Sequence, residues 1–184
     1  IDSPCKEETQ FIADAMIQSW TACGVYGDFN LSGKALEEFA RSQFETGEMP
    51  AAAPSGLYLN IPDYALLWPV WLQKYYLYSG RKAKLDSLIP NLKQLFAYFE
   101  AVSLPGKSLL GDLHETCGGY CFLDHAEIER EGIVTGLNAL YSRALLSGAW
   151  LFEQAGLDKK AEECRDRAKD VSTELCALTW NAEK

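Results

Sequence analysis

Apolar residues recur at helical spacing along almost the whole chain, and no stretch alternates apolar and polar positions as a half-buried strand would. Ile12, Met16, Trp20 and Cys23 share one face of a first helix. Ser3 and Pro4 are suited to open it as N-cap and first-turn proline, and Gly24 to end it. A second helix is expected from about Ser32 to Phe44, stopping at Gly47, followed by a Pro/Gly-rich loop over 49–56. The third runs from Asp63 to Ser79, with Pro69 inside to kink it and Gly80 to close it. The fourth starts near Lys82, is interrupted by Pro90 and continues through Val102. Ser103 to His125 reads as irregular, punctuated by Pro105, Gly106, Gly111, Gly118 and Gly119, and a connection of that length is usually functional or disordered. A fifth helix, about Ile133 to Ala155, has the most regular apolar stripe. The sixth, about Asp158 to Leu178, is the most amphipathic. Six helices joined as hairpins make an all-α chain. No self-similarity recurs at the period of ~34–45 residues that a solenoid of helix pairs requires.

Composition narrows the partners. Seventeen Lys and Arg against 26 Asp and Glu give a net charge of −9, a surface that repels a phosphate backbone and so disfavours nucleic acid. No run approaches the ~18 uninterrupted apolar residues of a membrane span. An aromatic content of 12%, with 5 Trp and 9 Tyr, is compatible with a sugar-binding cleft. Of the six cysteines, Cys117 and Cys121 alone stand at a spacing that suggests a metal or a bridge, and His114 and His125 are the only histidines that could complete a zinc site. A chain of 184 residues builds a core without disulfide staples, so ordinary thiols, no metal and no cofactor are the expectation.

The candidate chemistry lies at the start. Glu7 and Asp14 are seven residues apart, two turns along one face of a continuous helix, with Phe11 between them and Gln18 extending the stripe. Asp2 stands just before. Acids near a helix N-terminus have a sufficient structural explanation in the macrodipole. Two carboxylates, an amide and an aromatic ring, on a face whose opposite side supplies the core, favour a binding or catalytic reading.

The segment from Asp2 to Ala15 resembles the opening signature of the catalytic domain of bacterial α-L-rhamnosidases, Asp-Cys-Pro-x-Arg-Glu followed by an aromatic residue and Gly-Asp-Ala. Asp2, Pro4, Lys6, Glu7, Phe11, Asp14 and Ala15 fall on its anchors. Gly47-Glu48-Met49-Pro50 through Pro54, Ile61-Pro62-Asp63, Cys121-Phe122-Leu123-Asp124-His125, Arg130-Glu131-Gly132, Leu137-Asn138-Ala139-Leu140-Tyr141 and Thr179-Trp180-Asn181 resemble later stretches of the same family. The resemblance implies an (α/α)6 barrel, six helical hairpins in two concentric rings, of which residues 1–184 supply about the first three. It implies an inverting glycosidase whose partners are a carbohydrate substrate and the remainder of the same catalytic domain. Glu7 is then the general acid, with Asp2, Phe11, Asp14, Asp63, Asp124 and His125 as substrate contacts and the catalytic base lying outside this chain. Ser3, Lys6 and Ala13 depart from the signature, and Phe11 and His125 stand where the family has Trp, which implies a variant sugar or linkage. The rival readings are a non-catalytic helical binding module and a six-hairpin glycosidase of glucoamylase, trehalase or phosphorylase type.

Overall fold

A computed structural model describes Cys5 and residues 8–56, 58–114 and 118–180. Six long helices organise them: α1 (Ile12–Tyr26), α2 (Asn30–Arg41), α3 (Pro62–Ser79), α4 (Lys82–Ala101), α5 (Thr135–Gln154) and α6 (Asp158–Thr179). No described helix is long and apolar enough to cross a membrane. α4 passes through Pro90 unbroken, contrary to the expected interruption. One lost amide donor is outweighed by the burial of Leu88, Ile89 and Leu92 around it.

Side-chain pairings fix the directions. Phe11 meets Tyr64 at the starts of α1 and α3, and Lys74 lies over Trp20 further along both, so these helices run parallel. Gln73 accepts from Ser147, and Tyr76 packs on Trp150, which sets α5 parallel to α3 on its other side. Trp68 donates to the Leu36 carbonyl and Trp71 to Ser32, so α2 runs antiparallel behind α3. Ser142 meets Ser172, and Arg165 pairs with Glu153, folding α6 back along α5. The result is an inner row, α1–α3–α5, backed by α2, α4 and α6. α3 sits in the middle and buries residues on every side, including Trp68, Trp71 and Leu72, as expected of a helix apolar all round.

The first helix departs from expectation at both ends. It begins at Ile12, because the chain up to Phe11 is extended and pairs with the 51–53 segment: the Ile12 N–H donates to the Ala51 carbonyl (3.0 Å) and the Ala53 N–H to the Gln10 carbonyl (3.1 Å). It continues past Gly24 to Gly27, whose left-handed backbone (φ 64°) closes it. α2 ends at Arg41, three residues short of Phe44; the chain then turns, and Gly47 brings it against α4, where any Cβ would lie 2.4 Å from the Gln94 carbonyl oxygen.

Part of the long connection between α4 and α5 is packed into the core. Leu109, Leu110 and Leu113 enter the core. Asn138 of α5, fully buried, accepts the Leu110 N–H (2.8 Å) and donates to its carbonyl (2.9 Å), satisfying both backbone groups at once.

Candidate functional site

Because the inner helices are parallel, their N-terminal ends gather at one end of the molecule. Three segments meet there: the chain entering α1, the connection entering α3 and the connection entering α5. The expected site residues are drawn from these same segments. Asp2 and Glu7 lie outside the described residues, as does Cys117. Phe11 immediately precedes α1, and Asp14 is in its first turn. Asp63 is in the first turn of α3. Asp124 and His125 are exposed on the connection entering α5.

The helix-face argument that joined Glu7 to Asp14 does not survive. Residues 8–11 are not helical, so no continuous helix carries both acids. The pairing of Gln10–Ile12 with the 51–53 segment takes the backbone groups that an earlier helix turn would have used.

A chain of rings joins the three segments. Phe11 packs edge-on against Tyr64 (centroids 6.4 Å), Tyr64 against Phe122 (5.7 Å) and Phe122 against His125 (4.8 Å). Edge-to-face pairs of this kind add to the burial of the rings and fix their relative orientation. The backbones approach as closely: the Tyr120 N–H donates to the Asn60 carbonyl (3.0 Å), and Gly119 lies so near Pro62 that a Cβ would come within 2.8 Å of its ring. Tyr64 and Phe122 are thus the connectors of the site. Neither is singled out by sequence spacing, although Phe122 is itself part of a quoted motif and Tyr64 adjoins another.

Asp63 is 3% exposed, and both its oxygens are engaged by the chain itself. The Phe122 N–H donates to Oδ1 (2.9 Å) and the Leu123 N–H to Oδ2 (3.0 Å). Burial pushes its carboxyl above the ordinary range, while the two amides and the Arg130 guanidinium hold it back toward the charged form. Asp63, expected to touch substrate, thus has both carboxylate oxygens on the 122–123 backbone. Leu123 sits at φ 50°, a left-handed conformation that costs a branched side chain about 1–3 kcal/mol and persists only where the surroundings enforce it. Beside it, burial and the Asp63 charge push the Cys121 thiol up to about 12, leaving it a protonated, unreactive packing group.

Arg130 organises the same turn from the other side. Its guanidinium donates to the carbonyls of Phe122 (3.3 Å), Asp124 (2.6 Å), Ala126 (3.0 Å) and Ile128 (3.2 Å). Asp124 accepts the His125 N–H on Oδ1 (2.6 Å). Glu127, Glu129 and Glu131 are exposed to solvent. Among the described residues no group of three or more His, Cys, Asp and Glu is placed to hold a metal ion. What the rim presents to solvent is an imidazole, a carboxylate and aromatic edges on a turn held from within, an arrangement suited to a polyhydroxylated ligand with an apolar face.

No protein-family model matches the chain, and no curated protein matches it in sequence. Solved structures do match in fold. The GH78 family rhamnosidase of Bacillus sp. GL1 superposes with a TM-score of 0.90 at 23% identity, over 100% of this chain and 19% of that protein. A rhamnosidase from Klebsiella oxytoca with rhamnose bound gives 0.83 at 17% identity, over 99% and 35%. The α-L-rhamnosidase from Dictyoglumus thermophilum gives 0.76 at 13%, over 96% and 20%. The chain thus has the helical-hairpin fold found in these rhamnosidases and spans about a fifth to a third of their lengths.

Proposed function

We propose that this chain is the N-terminal half of an (α/α)6 catalytic domain that removes terminal α-L-rhamnose, or a closely related sugar, from glycosides by inversion. The carrying observation is that segments resembling the rhamnosidase signature meet at one end of a fold that follows rhamnosidases along the entire chain. Glu7 is the general acid that protonates the departing glycosidic oxygen. A water molecule, deprotonated by a carboxylate base from the remainder of the domain, attacks the anomeric carbon from the opposite face, which requires carboxyls ~6.5–9.5 Å apart. Asp2 and Asp14 bind ring hydroxyls, and their negative charge keeps Glu7 protonated near neutral pH. Phe11, Asp124 and His125 line the sugar subsite, with Asp63 acting beneath them. Phe11 and His125, smaller or more polar than Trp, fit L-rhamnose in a variant linkage or a closely related sugar.

Glu7→Gln in the full-length protein tests this reading. The amide preserves size and hydrogen bonding but carries no transferable proton. It is expected to lower kcat at least ~10²-fold on glycosides with poor leaving groups and much less on activated aryl glycosides. Equal losses on both would remove Glu7 from the acid role.

A further inference from the structure

Residues 122–128 form a turn whose two sets of backbone dipoles are answered by two opposite charges. On the buried side, Asp63 receives the N–H groups of Phe122 and Leu123, one on each oxygen. On the outer side, the half-buried Arg130 donates to four carbonyls, those of Phe122, Asp124, Ala126 and Ile128. The Phe122–Leu123 peptide is gripped at both ends, its N–H donating to Asp63 and its carbonyl accepting from Arg130, so the two charges are coupled through one peptide as well as through space. The Leu123 backbone is held in its left-handed conformation at the centre of this grip. Asp124 and His125, the exposed polar groups of the rim, ride on the clamped turn, and His125 is further steadied by the edge of Phe122.

We propose that Asp63 and Arg130 are positioning residues: a two-sided electrostatic clamp that presets the 122–128 turn and thereby fixes His125 and Asp124 for the sugar. This rests on the rhamnosidase reading for the identity of the ligand, but not for the clamp itself. A turn left free to move would have to be ordered on binding, which weakens affinity, whereas a preset one binds without that ordering cost. The chemistry of Glu7 is untouched, so the clamp acts on KM and not on kcat. Lys cannot replace Arg130, because a single ammonium lacks the planar fork that reaches four carbonyls.

Two readouts on the full-length protein separate the clamp from the ligand. Amide hydrogen exchange at Phe122 and Leu123 reports the turn without any sugar. KM and kcat on an aryl α-L-rhamnoside, with direct titration of L-rhamnose, report its consequence. Arg130→Met is expected to accelerate exchange at both amides and to raise KM about tenfold with kcat within about threefold of the wild type. Arg130→Lys should fall between the two. Asp63→Asn, which turns one acceptor into a donor facing one of the two N–H groups, should show the same signature. The double variant should be no worse than the more damaging single, as expected of two groups acting through one turn. Unchanged exchange in Arg130→Met overturns the clamp. Accelerated exchange with unchanged KM overturns its link to the sugar. If Asp63→Asn does not fold, the two Arg130 variants decide alone. If the wild type neither binds L-rhamnose nor cleaves its glycosides, the rhamnosidase reading fails, and the exchange result still decides whether the clamp exists.

Discussion

α1 and α3 are built from the same kind of sequence and meet different surroundings. Both are apolar on nearly every face, and neither has the clear polar stripe of α2. α3 lies between α1 and α5 with α2 and α4 behind it, and buries nine residues, among them two tryptophans. α1 buries Ile12 and Met16 and leaves Ile17, Val25 and Tyr26 in solvent, the last at 79%. A groove of about 610 Å³ opens between its C-terminal half and α2, with Trp71 on the floor. An apolar helix does not create its own burial; its neighbours do. α1 has the composition of an inner helix and a neighbour on one side only, which agrees with the proposal that further hairpins of a barrel pack there.

The largest effect tests whether that difference is real. Residues 1–184 alone are expected to bind a hydrophobic dye and to self-associate through the exposed faces of α1 and the end of α6, where Trp180 is 78% exposed. Replacing Ile17 and Tyr26 by Lys should reduce both signals. A compact monomer that melts cooperatively and ignores the dye would make α1 a finished surface and break the contrast with α3.

Equivalent truncations come next. Trp71→Ala empties a site that is 1% exposed, removes an edge contact with Phe39 and strands Ser32, so denaturant unfolding should show a loss of about 3–5 kcal/mol. Tyr26→Ala at the end of α1 should stay within about 0.5 kcal/mol. Comparable losses at the two positions would mean that α1 is as well packed as α3.

Glycines sharpen the same contrast on a smaller scale. In α5, Gly148 faces Phe96 so closely that a Cβ would lie 2.1 Å from its ring, and Gly148→Ala should cost about 1–3 kcal/mol. In α1, Gly24 has open space around it, and Gly24→Ala should add about 0.5–1 kcal/mol through helix propensity alone. Thermal melts of the two variants should move in opposite directions.

The smallest effect concerns a charge inside the packed side. Glu48 is 5% exposed and accepts from the Tyr58 hydroxyl on both oxygens (3.0 and 2.9 Å); burial nevertheless raises its pKa. An acid raised in the folded state favours folding most below its unfolded value, near ~4.3, and that advantage is lost as pH climbs through the folded value. Glu48→Gln should therefore be the more stable protein at neutral pH, and the two stabilities should converge as pH falls toward 4. A gap that widens on acidification would contradict this.

Helix content was legible because it depends on local period. α3 to α6 lie within about two residues of their expected ends, since Gly80 and the Gly156-Leu157-Asp158 turn are short-range signals. The start of α1 was not legible. Cys5 to Phe11 continues a plausible helical pattern, and what cancels it is hydrogen bonding to residues some forty positions away. The site divides in the same way. Motif resemblance drew attention to Asp63, Asp124 and His125, but only packing shows that Asp63 faces the Phe122 and Leu123 amides, or that Arg130 collects four carbonyls. The Asp63 bonds join segments some sixty residues apart, and the Arg130 bonds lie within an irregular turn; neither leaves a period to read.

The ring chain from Phe11 through Tyr64 and Phe122 to His125 also bears on the order in which the molecule assembles. Each of its first two links closes some fifty to sixty residues of intervening chain, whereas the α5–α6 hairpin closes through a three-residue turn. Contacts between distant segments are entropically late, because the loop must be closed before the contact rewards it. Newly made chains should thus acquire the α5–α6 hairpin early and the ring chain last, so that a folding intermediate would be mostly helical yet lack the assembled rim.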